Sequence, residues 1–371
     1  LIFGKDNPGT DVFDSQSPAR ATSRRSVATY PALEPIVIGN TLVAVSPQNG
    51  LVTALETDNG ERKWQYDPGA AVHFTPIADG EGNIYITAND GSIHGISDDD
   101  GTPLWNFDVA DLVRSVNKNW SDVSVLPICG GPLIAGGKLC FAVGGWPFEG
   151  AFLCTVDLAG VQEEQSSPSR NAIDLSEVNP QGYLAASDGD LFIPCGLAIP
   201  RRYNLGGQVF VPLQYDTLGL AQDQISASGS WLVQGNLVVD RTTFATLSLG
   251  ASKPVISGSE FFFIRDQKII AAQLFPAIDS KSSEEGEDQP PHFKILWQLS
   301  AAEIPAALDQ EARADWRPGP LTVDILVGSR LFGRFGNAIF AVDVPQEEDE
   351  TQQSQTIRNS DVSATMPVPE V

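Results

Sequence analysis

Cations grouped inside a strongly acidic chain are the residues best placed to do chemistry. Arg114, Lys118 and Trp120 fall in the stretch from Asp111 to Val125, and Arg201, Arg202 and Tyr203 follow Pro200. The 371 residues carry 47 Asp and Glu against 23 Lys and Arg, a net charge of −24. A cation cluster in that field either neutralises adjacent carboxylates or binds a small anion or an acidic protein segment. Trp146 and Phe148 form a further aromatic pair, suited to recognition if exposed and to packing if not. The same net charge disfavours nucleic acid and anionic membrane as partners.

Metal and nucleophile chemistry has weaker footholds. Asp79-Gly80-Glu81-Gly82-Asn83 and Asp98-Asp99-Asp100-Gly101 offer the oxygens calcium takes, although Asp-Gly and Gly-Asn steps are also ordinary turn formers. A zinc site is disfavoured, because the cysteines at 129, 140, 154 and 195 include no Cys-x-x-Cys pair and His73, His94 and His292 are far apart. Cys129 and Cys140 flank Gly130-Gly131 and Gly136-Gly137, so a hairpin could bring them together as a disulfide; four buried free thiols is the other reading. Gly131 to Lys138 misses a phosphate loop, with Pro132 where the first glycine should be and Leu139 where Ser or Thr is needed. No Gly-x-Ser-x-Gly elbow and no His-Glu-x-x-His helix occur. No catalytic residue is assigned.

The elements that must position these groups repeat. Gly50, Ala54, Glu56, Asn59, Gly60 and Trp64 match Gly91, Gly95, Ser97, Asp100, Gly101 and Trp105 at an offset of about 41 residues, the period of a propeller blade. Within a unit, apolar or alternating runs such as Asn40 to Val45 and Leu51 to Leu55 are broken by Asn49-Gly50 and Asn59-Gly60, the signature of strands joined by tight turns. The spacing predicts an all-β propeller of seven or eight four-stranded blades around a central channel, the count reaching eight if the N-terminal segment completes a blade with the C-terminal strand. Trp64 and Trp105, with Gly60 and Gly101, are expected to anchor the packing between blades.

The stretch Ala54-Leu55-Glu56-Thr57-Asp58-Asn59-Gly60-Glu61-Arg62-Lys63-Trp64 resembles the repeat signature of pyrroloquinoline-quinone (PQQ)-like β-propellers, and the copy ending at Trp105 resembles it more loosely. Gly145-Trp146-Pro147-Phe148-Glu149-Gly150 and Asn179-Pro180-Gln181-Gly182-Tyr183 are similar to motifs of large bacterial PQQ-like repeat proteins, mostly of planctomycete type. The resemblance covers residues 35 to 343 and implies two roles. One is a non-catalytic extracytoplasmic scaffold for binding or assembly, similar to the propeller of the bacterial outer-membrane assembly machinery, with no cofactor. The other is an oxidoreductase using PQQ with calcium on alcohols or sugars. The cysteines are nowhere adjacent, unlike those of many such enzymes. In this setting the cations at 114, 118, 201 and 202 are expected to line the axial mouth, where a protein or a small anion would bind.

The domain reading is an N-terminal extension at 1–30, a propeller at 31–344 with loop insertions near 161–178 and 276–292, and an acidic, polar tail or linker at 345–371. No apolar run reaches the ~18 residues of a membrane helix. The chain reads as a processed product or a piece with flanking domains, periplasmic or secreted.

Overall fold

Turn residues cut the chain into meanders of short strands. The computed structural model describes all residues except 1–32, 34, 47–48, 117–125, 145–149, 160–168, 176–177, 197, 214–224, 250–253, 278–289, 307–309, 328, 345–354, 357–361 and 366–371. The first blade is Ile36–Ile38 (β1), Thr41–Val45 (β2), Val52–Glu56 (β3) and Arg62–Tyr66 (β4), paired antiparallel in that order. Gly50, at the β2–β3 turn, has a φ of 74°, and a Cβ there would overlap the Ala70 carbonyl oxygen. Its counterpart Gly91 has a φ of 89° and would place a Cβ 2.7 Å from the Leu126 carbonyl oxygen. The repeated glycine is thus fixed twice over, by a left-handed turn and by the next connection passing close above it.

Ile77–Ala78 (β5), Asn83–Thr87 (β6), Ser92–Ser97 (β7) and Pro103–Asp108 (β8) form the second blade, followed by the helix Val109–Val116 (α1). Ile128–Ala135 (β9), Lys138–Gly144 (β10), Ala151–Asp157 (β11) and Arg170–Asp174 (β12) form the third, with Gly182–Tyr183 (β13) added parallel to β9. Ala185–Ser187 (β14), Asp190–Cys195 (β15), Ala198–Asn204 (β16) and Val209–Val211 (β17) form the fourth. The fifth is Ile225–Ser228 (β18), Trp231–Gln234 (β19), Leu237–Asp240 (β20) and Thr246–Ser248 (β21). Val255–Ser257 (β22), Glu260–Arg265 (β23), Lys268–Phe275 (β24) and His292–Ser300 (β25) make the sixth, before the short helices Glu303–Ala306 (α2) and Gln310–Asp315 (α3). Leu321–Val327 (β26), Arg330–Phe335 (β27) and Ala338–Asp343 (β28) make the seventh.

The chain is therefore a propeller of seven blades. The first strands β5, β9, β14, β18, β22 and β26 lie beside one another in succession, so each blade runs outward from a central axis. Two boundaries read from the sequence are corrected. Part of the expected loop insertion at 161–178 is β12, the outer strand of its blade. Beyond residue 345 the chain supplies Gln355–Thr356 (β29), parallel to β25, and Val362–Thr365 (β30), the outer strand of the seventh blade. An outer strand has a neighbour on one edge only, so it tolerates the polar residues that read as linker.

Six hydrophobic clusters each join two consecutive blades, from Val43, Trp64 and Ile84 between the first two to Phe262, Trp297 and Leu331 between the last two. Strands β6, β10, β11, β15 and β19 are accordingly buried on both faces. In β2, Val43 and Val45 are buried while Leu42 and Ala44 stay partly exposed; in β27, Leu331 and Phe335 are buried while Arg330 and Arg334 are exposed. Among the described residues no cluster joins the seventh blade to the first, and Val37, Ile325 and Val327 are 62%, 54% and 57% exposed. Phe262→Ala is therefore expected to cost ~3–5 kcal/mol, and Ile325→Ala less than ~0.5 kcal/mol. Urea midpoints of the two variants check this difference.

Candidate functional site

Arg114, Arg201 and Arg202 do not assemble at the axis. α1 packs against β8 and β12, outer strands of the second and third blades, and Arg114 Nη1 lies 2.8 Å from Asp111 Oδ1 on the helix surface. Lys118, Trp120 and Trp146 lie outside the described residues. Arg201, Arg202 and Tyr203 are not in a connection: they sit on β16, the third strand of its blade and well off the axis. Alternation along the strand separates them. Arg201 and Tyr203 lie opposite Ile193 and Leu191, on the face toward the third blade, and Arg202 lies opposite Phe192, on the face toward the fifth.

On that second face Arg202 meets a buried carboxylate. Asp190, 2% exposed, accepts hydrogen bonds from Arg202 Nε at 2.8 Å, Asn204 Nδ2 at 3.0 Å and Arg241 Nη2 at 2.7 Å. Arg241 crosses from the fifth blade and also donates to Asp188, to the Ser187 carbonyl and to the Gly229 carbonyl, with its guanidinium 4.9 Å from the Phe192 ring centre. Burial works against the Asp190 charge, but the bonds from Asn204 and Arg202, the Arg202 charge and the Arg241 bond outweigh it and hold the carboxyl below the usual carboxylate range. This network is a clamp between blades. Asp190, Asn204 and Arg241 were not picked out in the sequence, because their partners are up to 54 residues apart in the chain.

The histidine best placed for proton transfer is also fully engaged. Ser92 Oγ donates to Asp90 Oδ1 at 2.6 Å, so it accepts from His94 Nε2 at 2.8 Å, and in the neutral imidazole His94 Nδ1 then accepts from the Tyr66 hydroxyl at 2.9 Å. Burial favours that neutral form. Burial lowers the His94 pKa, against an opposing pull from the Asp90 charge. A base whose folded pKa is depressed adds stability above its unfolded pKa and loses it as pH falls toward the folded one. Acid unfolding monitored from pH 7 downward should show stability beginning to fall near pH ~6.5, and His94→Gln should remove that part of the pH dependence.

The acidic turns are occupied as well. Asp79 accepts from the backbone of Glu81 and Asn83, the Asn83 amide and the Tyr85 hydroxyl at 2.6–3.1 Å. Asp98 gives its carbonyl to Trp64 Nε1 at 2.9 Å, and a Cβ on Gly101 would sit 2.8 Å from the Trp64 ring, so the first blade's indole docks on the second blade's turn. Gly60 turns the first blade with a φ of 73°, while Trp105 stacks at 5.8 Å on both Tyr85 and Phe107 within its own blade. Among the described residues no group of three or more His, Cys, Asp or Glu is arranged for a metal. The Cys129–Cys140 bridge is corrected: all four thiols are free, since Cys140 lies opposite Leu133 across the β9–β10 ladder. Burial pushes the Cys129 and Cys140 thiols up to about 12, so both stay protonated.

Tyr203 itself points elsewhere. It is 3% exposed, packed edge-on against Phe210 at 5.0 Å, and it lines a cavity of about 320 Å³ between the third and fourth blades with Lys138, Thr155, Asn171, Leu205 and Gln208. Lys138 Nζ lies 3.0 Å from Asp157 Oδ2 at its rim.

Residues 16–162 match a PQQ-repeat family model described as outer membrane protein assembly factor BamB. The outer membrane protein assembly factor BamB of Pseudomonas aeruginosa is 36% identical over 73 residues, a match spanning 20% of this chain and 18% of that protein. BamB from Moraxella catarrhalis is a similar solved structure at 12% identity and a TM-score of 0.48, covering 84% of this chain and 81% of that one. The quinohemoprotein alcohol dehydrogenase ADHIIG from Pseudomonas putida HK5 is similar at 14% identity and a TM-score of 0.46, covering 83% and 64%. No helix among the described residues is long and apolar enough to cross a membrane.

Proposed function

We propose that this chain, a PQQ-like repeat propeller, is a non-catalytic scaffold that works outside the cytoplasm and binds a protein partner through the loops its blades hold in place. One observation carries the reading: the groups best able to do chemistry are spent joining or bracing blades. Asp190, Arg202 and Arg241 clamp the fourth blade to the fifth, His94 and Tyr66 tie the first to the second, and Asp79 closes its own turn. Loops on a stiff wheel present a fixed surface without needing a reaction centre. The match to an outer membrane assembly factor over residues 16–162 supports the same reading.

A PQQ and calcium enzyme would need free acid and amide oxygens gathered at one place. The best such set in the sequence, Asp79 to Asn83, has its Asp79 oxygens taken by four internal donors. That turn therefore does not offer the free oxygens the cofactor would need. Cross-linking in the envelope of the producing cell, followed by mass spectrometry, tests the scaffold reading. A recovered protein should bind the purified chain saturably; if none of the recovered proteins does so, the reading fails.

A further inference from the structure

We propose that the outer rim of the seam between the fifth and sixth blades docks an extended acidic segment of a protein partner, with a carboxylate on Arg265 and Lys268 and an apolar side chain on Ile295. This rests on the partner-binding reading above and gives that partner a chemistry and a place. The carrying observation is two cations set opposite each other with no carboxylate on either. Arg265 and Lys268 are direct cross-strand partners at the closed end of the β23–β24 hairpin, so both side chains stand on one face of the sheet, and both are half-buried. Among the described residues neither forms an ion pair. Lys268 Nζ donates to the neutral Gln298 amide oxygen at 3.3 Å, and the Arg265 guanidinium lies 5.7 Å from the Phe263 ring centre and 5.4 Å from that of Phe293. Asp266, in the turn between them, pairs with neither. Like charges directly opposite destabilise a sheet, yet none of the chain's 47 acidic residues is shown against this pair. An anion from outside would remove the repulsion.

The surface beside the cations is open because neighbouring outer strands differ in length. β25 runs for nine residues, while β21, the outer strand of the fifth blade, has three. Ile270, Ala272 and Leu274 are buried in the seam, but their partners on β25 are less covered: Ile295, opposite Ala272, is 39% exposed, and Gln298, opposite Ile270, is exposed. Ser300, Gln298, Ile295 and Phe293 therefore share one face of the strand, polar near the cations and apolar further along. Such a strip suits an extended peptide, whose side chains follow one another at strand spacing, better than a compact oxyanion. Arg265 supplies the planar fork that takes a carboxylate through two parallel bonds.

Fluorescence anisotropy of the full chain with a labelled Glu-Leu-Glu-Phe-Glu peptide, beside its Gln-for-Glu counterpart and with inorganic phosphate as competitor, tests the assignment. The acidic peptide should bind saturably below ~1 mM, more weakly as salt is added, and about tenfold more tightly than the Gln peptide. Arg265→Gln should weaken it about tenfold and Arg265→Lys by less. Lys268→Gln, with an expected loss of about threefold, is the second arm if Arg265→Gln fails to fold. No saturation by the acidic peptide, equal binding of the Gln peptide, equal affinity in the folded variants, or full displacement by phosphate at the peptide's own concentration overturns the proposal. A cross-linked partner that binds the chain saturably and is indifferent to Arg265→Gln also overturns it, while leaving the scaffold reading intact.

Discussion

Asp190→Ala is expected to destabilise the propeller by ~3–5 kcal/mol, the range for breaking a buried ion pair by removing one partner. The change leaves Arg241, whose side chain is 8% exposed, without its shared carboxylate, and strips Asn204 and Arg202 of their acceptor. Arg241→Met should cost less, because Arg202 and Asn204 still satisfy Asp190. Urea unfolding at neutral pH measures both. The sign of the pH dependence follows from the depressed Asp190 pKa. A carboxylate of this kind adds stability above its unfolded pKa, ~3.9, and loses it as pH falls through the folded value. The wild-type chain should therefore lose this contribution below pH ~4, and Asp190→Asn should lack that step.

Trp64→Ala carries an expected cost of similar size, ~3–5 kcal/mol. The indole is 7% exposed, packs with Val43 and Ile84 in the cluster joining the first two blades, and lies against Gly101 while its N–H reaches the Asp98 carbonyl. Trp64→Phe retains most of the ring and gives up the hydrogen bond, so about half that loss or less is expected, at ~1–2 kcal/mol. Gly101→Val should be harmful for a separate reason. Its φ is 72°, which a β-branched residue resists, and its Cβ would enter the docked indole. Tryptophan fluorescence and thermal melts of the three variants test whether the indole and the glycine form one joint.

Much of this wheel was legible because its signals are local. Asn49-Gly50, Asn59-Gly60 and Asp100-Gly101 announce turns by their own chemistry, and the 41-residue offset superimposes the first blade on the second. The number of blades required knowing which strand supplies the outer edge of the last one, and β30 is only four residues long, within the stretch read as a tail or linker. Arg114, Arg201 and Arg202 were legible as residues, but they lie off the axis and not at its mouth. Arg201, Arg202 and Tyr203 were read together as one cluster after Pro200, yet as a strand the segment sends Tyr203 into one seam and Arg202 into the other. Neither the Asp190–Arg241 clamp nor the Tyr203 cavity has a sequence signature, since each is made by two blades meeting.

If the described polar groups serve to hold blades together, those groups offer no seat for a redox centre. Titration of the full chain with PQQ in excess calcium, followed by gel filtration, quinone absorbance and dye reduction with an alcohol or sugar, puts that claim to its most direct trial. The scaffold account predicts that the quinone elutes apart from the protein, with no dye reduced and no rise in melting temperature. Co-elution at one quinone per chain with substrate-dependent dye reduction would contradict it.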